Sequence, residues 1–279
     1  MLLRMRHTRS LVLVAAFVAG LLLVGLPAGQ DRSRPVLEVL YLANEGVLIR
    51  TGEQSVLIDG LFRPYRHYAH VPAEQSQALE AAQAPFGGAD LILVSHIHGD
   101  HFHPQSVANY LKRQGGSILA TSKQAAAAVQ SILRRNEESR KRLVEINPAA
   151  GKKGKRKFGQ IEVTFLGLPH GSPRQGWVQN LGHLIRMGGK TLLHVGDAEL
   201  SSKNFRPFKL SKEKIDIAFL PYWYLLSEEG RQLVDEQIRP RRIVAVHVLP
   251  REAEEVCGKI AQALPEAVCL KEPLQKVRF

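Results

Sequence analysis

The chemistry of this sequence is concentrated in Ser95-His96-Ile97-His98-Gly99-Asp100-His101-Phe102-His103, where four of eleven histidines and one carboxylate fall within eight residues. Imidazole and carboxylate are ligands that zinc and similar divalent ions accept. Histidines at i and i+2 around a small turn can chelate one ion while the adjoining Asp-His pair reaches another. One cluster cannot complete two coordination shells, so further ligands are expected elsewhere. Three segments offer them: 165–170 ends an apolar run in His170, 192–197 ends one in Asp197, and 243–247 ends one in His247. Taken singly, each would be read as a loop residue. All three hold the same position at the end of an apolar run, and that shared position argues for a common centre.

Such residues need rigid carriers that deliver them to one place. Apolar or alternating runs at 36–42, 46–50 and 55–59, divided by Asn44-Glu45-Gly46 and Gly52-Glu53, predict an opening antiparallel meander. A segment rich in Ala, Gln and Glu predicts a helix over 72–84. The unbroken apolar run 90–95 predicts a strand buried on both faces that leads directly into the histidine cluster. Helices are expected at 104–114 and 122–135, with a strand at 117–121 between them. The alternation then repeats, with strands at 160–168, 181–187, 190–195, 215–220 and 243–248, helices near 227–238 and 251–264, and a tight turn at Gly188-Gly189. Strands followed by helices in both halves predict an α+β domain over 35–279, with two sheets face to face and helices outside.

The motifs Leu57-Ile58-Asp59-Gly60, H-x-H-x-D-H, Pro169-His170-Gly171, Val195-Gly196-Asp197 and Val246-His247 occur in that order. From about residue 36 to its end the sequence therefore resembles the metallo-β-lactamase fold superfamily of metal-dependent hydrolases. The resemblance implies a four-layer αββα sandwich. It also implies His96, His98 and His170 on one metal ion, Asp100, His101 and His247 on a second, Asp197 bridging them, and Asp59 supporting the metal loop. Two divalent ions are then expected, zinc first, with manganese or iron also suited to these ligands. Cations about 3.5–4 Å apart would lower the pKa of a shared water toward roughly 7, and the hydroxide would attack a carbonyl carbon or phosphorus. Asp100 would be the catalytic proton acceptor or relay, and no Ser or Cys nucleophile is needed.

Asp197 separates the sequence from the antibiotic-hydrolysing members, which lack that bridging carboxylate. With segment 215–221 it makes the sequence similar to the lactonase and phosphodiesterase branch, near ascorbate-phosphate lactonase and N-acyl-phosphatidylethanolamine phospholipase D. Gly171, Ser172 and Pro173 after His170 depart from both, so their substrates do not carry over. The expected substrate is a small-molecule ester, lactone or phosphodiester. The alternatives are a non-hydrolytic metal-binding or redox protein on the same fold, whose redox members need a flavin domain for which no segment is found, and a nucleic-acid processing nuclease.

At 44% hydrophobic and 23% charged residues over 279 positions, the composition excludes wholesale disorder and a polytopic membrane protein. The net charge of +12 invites a nucleic-acid reading. Three of those charges, Arg4, Arg6 and Arg9, belong to the N-terminal segment, and Lys152, Lys153, Lys155, Arg156 and Lys157 share one stretch expected to be a solvated hairpin tip. No stripe of alternating basic and aromatic residues follows, so no nucleic-acid partner is expected. Residues 1–30 combine a basic start, sixteen apolar or Gly residues at 11–26 and a small-residue break. They predict an export signal or an N-terminal membrane anchor, and hence an exported protein, periplasmic or extracellular, or one tethered to the membrane. Cys257 and Cys269 would sit level if 251–264 is a helix turning into a strand, leaving a disulfide or two separate buried thiols open. His103 is expected beside the ligands or at the surface, and His183 and His194 as half-buried strand residues. Tyr65, His67, Tyr68 and His70 form either a solvated loop or the mouth of the site, and Trp223 and Tyr224 either a pocket wall or ordinary packing.

Overall fold

Two seven-stranded sheets carry the chain in a computed structural model that describes residues 36–279. The expected leader at 1–30, with its apolar run at 11–26, lies outside the described residues. In the first sheet β1 (Leu37–Ala43), β2 (Gly46–Thr51), β3 (Gln54–Ile58), β4 (Leu91–Val94), β5 (Ile118–Ser122) and β6 (Leu143–Ile146) lie in chain order. The second holds β7 (Lys153–Phe158), β8 (Ile161–Gly167), β9 (Leu181–Met187), β10 (Lys190–His194), β11 (Ile217–Pro221), β12 (Arg242–Val246) and β13 (Val268–Cys269). A last strand, β14 (Lys276–Arg278), returns to pair with β1. Both sheets follow one plan: β1 to β3 and β7 to β10 are antiparallel meanders, whereas β3 to β6 and β10 to β13 are parallel.

The strands read as nearly continuous apolar runs because both of their faces are covered. Along β1 and β4 alternate residues divide between two layers: Val39, Tyr41, Leu91 and Leu93 point into the space between the sheets, where they meet Val163, Phe165, Ile185, Leu192 and Phe219. Leu40, Leu42 and Ile92 point outward, against Leu79, Val107, Tyr110 and Val129 of α1 (Ala73–Glu80), α2 (Pro104–Arg113) and α3 (Lys123–Ile132). On the far side Leu193, Ala218 and Ala245 meet Phe205, Tyr224, Leu233 and Ile260. The result is the expected four-layer αββα sandwich with three apolar seams.

Several local expectations change. The basic stretch is the edge strand β7 rather than a hairpin tip, and Lys155 pairs with Glu162 at 2.8 Å. Lysines suit such an edge because they discourage pairing with another chain, and the same polarity hides the strand in the sequence. A short α4 (Glu137–Lys141), capped by Asn136, and β6 were not expected. His103 is the N-cap of α2, accepting from Ser106 N ahead of Pro104. In the second half α5 (Ser202–Phe205), α6 (Trp223–Leu226), α7 (Glu228–Leu233) and α8 (Ala253–Ala263) follow. Cys257 on α8 and Cys269 on β13 are joined by a disulfide, their Cα atoms 5.7 Å apart.

Candidate metal centre

Because β1, β3 and β4 run in one sense, as do β8, β10 and β12, the chain leaves all six at one edge of the sandwich. Asn44 follows β1, Asp59 follows β3, His96 follows β4, His170 follows β8, Asp197 follows β10 and His247 follows β12. The two sheets are tied there, His247 N donating to Asn44 O at 2.9 Å and Leu181 N to Ser95 O at 3.0 Å. Asn44, Asp59 and His247 have φ of 52°, 44° and 64°, a left-handed backbone uncommon outside glycine and typical of functional sites. Gly196 also has φ 57°, and a Cβ on it would lie 2.5 Å from Asn180 Oδ1 and 2.8 Å from Ser95 Cβ. Glycine is required at that point, immediately before Asp197.

Two groups of ligand atoms converge. His96, His98, His170 and Asp197 each bring one such atom within 4.8 Å of the others, and so do Asp100, His101 and His247. Asp197 stands between the groups. Its Oδ2 is 3.4 Å from His170 Nε2 and 3.7 Å from His96 Nε2, while its Oδ1 is 3.3 Å from His247 Nε2 and 3.4 Å from His101 Nε2. Asp100 Oδ2 lies 3.5 Å from both His101 Nε2 and His247 Nε2. His170 Nε2, Asp197 Oδ1 and His247 Nε2 are buried without a hydrogen-bond partner. Buried polar atoms seldom stay bare, and a cation in each group would satisfy them.

The rear of the cluster is held by hydrogen bonds. Asp59 accepts from Ser95 N at 2.7 Å, from Ser95 Oγ, and from His101 Nδ1 at 3.0 Å. Ser95 Oγ meets His96 Nδ1 at 2.9 Å. With ring protons drawn to Nδ1, His96 and His101 turn their Nε2 atoms to the centre. Burial pushes Asp59 up, but the hydrogen bond and charge of His101 prevail and hold it at about 2. Asp100 and Asp197 are likewise lowered, burial being outweighed by His101 and His247. The two histidines answer: burial would lower them, yet Asp197 and Asp100 raise His101 well above its usual value and His247 to about 10. Burial and its neighbour His101 push His96 far down.

All seven residues singled out in the sequence thus meet at one edge. Two others there go beyond those seven. Asn44 Nδ2 donates to Asp100 O and Oδ2, both at 3.2 Å. Glu45 is fully buried, and neither carboxylate oxygen has a hydrogen-bond partner. Burial, then Asp197, raises it to about 8. The signal that could have found both is the one used elsewhere, polar residues at the end of an apolar strand.

His183 and His194 are fully rather than half buried. His194 Nε2 faces Glu45 O at 3.1 Å, whereas His183 has no partner on either nitrogen, and burial lowers it to about 3. Tyr65, Tyr68 and Trp223 border the centre, the last two packing against His247. His67 and His70 are exposed. Tyr224 is buried packing, its hydroxyl donating to Ala198 O at 2.8 Å.

Residues 54–268 match the β-lactamase superfamily domain. A UPF0173 metal-dependent hydrolase of Thermus thermophilus is 28% identical over 218 residues, 76% of this chain and 84% of the relative. One from Pyrococcus furiosus is 26% identical over 170 residues, 58% and 68% of the two chains. Among solved structures, Igni18, a metallo hydrolase of Ignicoccus hospitalis, shares the fold with a TM-score of 0.61 and 18% identity, covering 88% of this chain and 98% of that one. The expected exported, periplasmic, extracellular or membrane-anchored location is overturned. The relatives are named solely as metal-dependent hydrolases, and no described helix is long and apolar enough to cross a membrane. A match over most of the chain, on two mixed sheets between helices with this cluster at their edge, means that the chain belongs to the β-lactamase superfamily domain family and is a metal-dependent hydrolase.

Proposed function

We propose that the chain is a dinuclear hydrolase of a small-molecule ester, lactone or phosphodiester. His96, His98 and His170 would hold one divalent ion, Asp100, His101 and His247 a second, and Asp197 would serve both. The observation that carries this reading is the division of Asp197, with one oxygen turned to each group of histidines. Five imidazoles and two carboxylates suit zinc best, and manganese or iron accept the same set. Bound there, the cations would supply a water activated near neutral pH and a pull on the substrate oxygen. Asp100, held by Asn44, takes up the proton released as water attacks, and Asp59 keeps His101 in the ligating tautomer. The order Val195-Gly196-Asp197 followed by 215–221 supports the lactonase and phosphodiesterase branch, and the scatter of positive charge favours no nucleic-acid partner.

Metal analysis of the purified protein, joined to a panel of chromogenic lactones, esters and phosphodiesters, tests the proposal. About two divalent ions per chain are expected, with hydrolysis of at least one substrate class that chelation abolishes. Asp197→Ala should lower that activity more than about 100-fold, since both ions lose a ligand. A single ion at saturating supply, or undiminished hydrolysis after chelation, would reject the dinuclear reading.

A further inference from the structure

The loop between β3 and α1 brings aromatic side chains to the mouth of the centre. Tyr68 sets its ring edge-on to His247, centroids 5.2 Å apart and planes at 90°. Its N–H donates to Tyr65 O at 3.2 Å, and the Tyr65 ring stacks beside it at 6.3 Å and 17°. Tyr65 in turn lies so close over Gly99 that a Cβ there would fall 2.7 Å from Tyr65 Cδ2. The loop is thereby keyed to the histidine cluster, and Tyr68 has a fixed place above it.

Hydrolysis of an ester or phosphodiester builds negative charge on the carbonyl or phosphoryl oxygen, and a preorganised donor aimed at that oxygen lowers the barrier. Several other neutral donors nearby are engaged. Asn44 Nδ2 donates to Asp100, Ser95 Oγ to Asp59, and the Tyr224 hydroxyl to Ala198 O. Burial, and after it the charges of Asp100 and Asp197, push the Tyr68 hydroxyl up to about 12, so it stays a protonated donor beside His247.

We propose that the Tyr68 hydroxyl donates a hydrogen bond to the substrate oxygen on which this charge builds, as a catalytic residue of the hydrolysis proposed above, on which the inference rests. In that reaction the water oxygen bonds to the carbonyl carbon or phosphorus and the bond to the leaving oxygen breaks. The proton given up by water passes by way of Asp100 to the leaving oxygen. Tyr68 keeps its own proton throughout.

Tyr68→Phe removes one oxygen and leaves the ring on His247. In this variant metal content and unfolding midpoint should match the unsubstituted protein, while kcat/KM on the best panel substrate falls roughly 100-fold, mainly in kcat. Calorimetric binding of inorganic phosphate to the metal-loaded protein, a tetrahedral anion presenting the same oxygens, should weaken about tenfold. Equal rates and equal phosphate affinity overturn the inference. Loss of metal from the variant also overturns it, because Tyr68 would then act by supporting His247. If the unsubstituted protein binds phosphate but hydrolyses nothing on the panel, the hydrolase reading fails, while the phosphate comparison still decides for or against Tyr68 as the donor.

Discussion

Asp59 governs two histidines of the centre without facing it. It accepts from His101 Nδ1 at 3.0 Å and, through Ser95 Oγ, orders His96 Nδ1 at 2.9 Å. Replacing it by Asn keeps the size but sets an amide N–H₂ against groups that are themselves donors. Asp59→Asn should therefore weaken metal binding about 10- to 100-fold, read by competition with a chromogenic chelator. An unchanged affinity would mean that the ligand tautomers are fixed elsewhere. At this scale the sequence was most legible where chemistry is dense: H-x-H-x-D-H announces itself because few structural roles need so many imidazoles together. Glu45 shows the limit. A single glutamate in a turn-like Asn-Glu-Gly looks solvated, and only the meeting of the two sheets over it makes it fully buried.

Elements were legible in proportion to their burial. Strands covered on both faces, such as β4, stand out as unbroken apolar runs, and the Gly188-Gly189 turn gives the hairpin in which Met187 opposes Lys190. Edge elements were not: β7 is lysine-rich, β6 is mostly half-exposed, and α4 has five residues. The helix expected over 72–84 ends at Glu80, although Ala and Gln favour helix beyond it. The site depends on the ends of the buried elements, where the backbone turns sharply, and Gly196, with positive φ and crowded by Asn180 and Ser95, is one such turn. Gly196→Ala combines an unfavourable φ of 57° with a Cβ forced against Asn180 and Ser95. It should cost about 1–3 kcal/mol in urea unfolding and lower metal affinity by displacing Asp197. A variant as stable as the parent, with full metal content, would show that the loop relaxes freely.

At the scale of the whole molecule, packing two sheets face to face with a polar cluster at one edge leaves the metal-free protein with opposed titrations. His96, His98, His183 and His194 are lowered below their usual 6.5, mainly by burial, so the stability they contribute is present above pH 6.5 and lost as pH falls. Asp59, Asp100 and Asp197 are also lowered, and their contribution is lost only in stronger acid, below their ordinary 3.8. His101, His247 and Glu45 have the other sign. Raised in the fold, with His247 at about 10 and Glu45 at about 8, they contribute stability that is lost as pH rises through those values. The metal-free protein should accordingly be most stable near pH 6.5, with its thermal midpoint falling from there to pH 10. Metal ligation requires neutral imidazole, so on the proposed site assignment loading at pH 7 must displace a proton from each of His101 and His247. Calorimetry in buffers of different ionisation heat should therefore find about two protons released per chain loaded at pH 7, declining as pH approaches 10. The midpoint gained on loading should widen over the same interval, because the loaded protein no longer depends on those two protons. Loading without proton release at pH 7, or a metal-free midpoint that rises from pH 6.5 to 10, would show that the carboxylates do not hold these histidines charged.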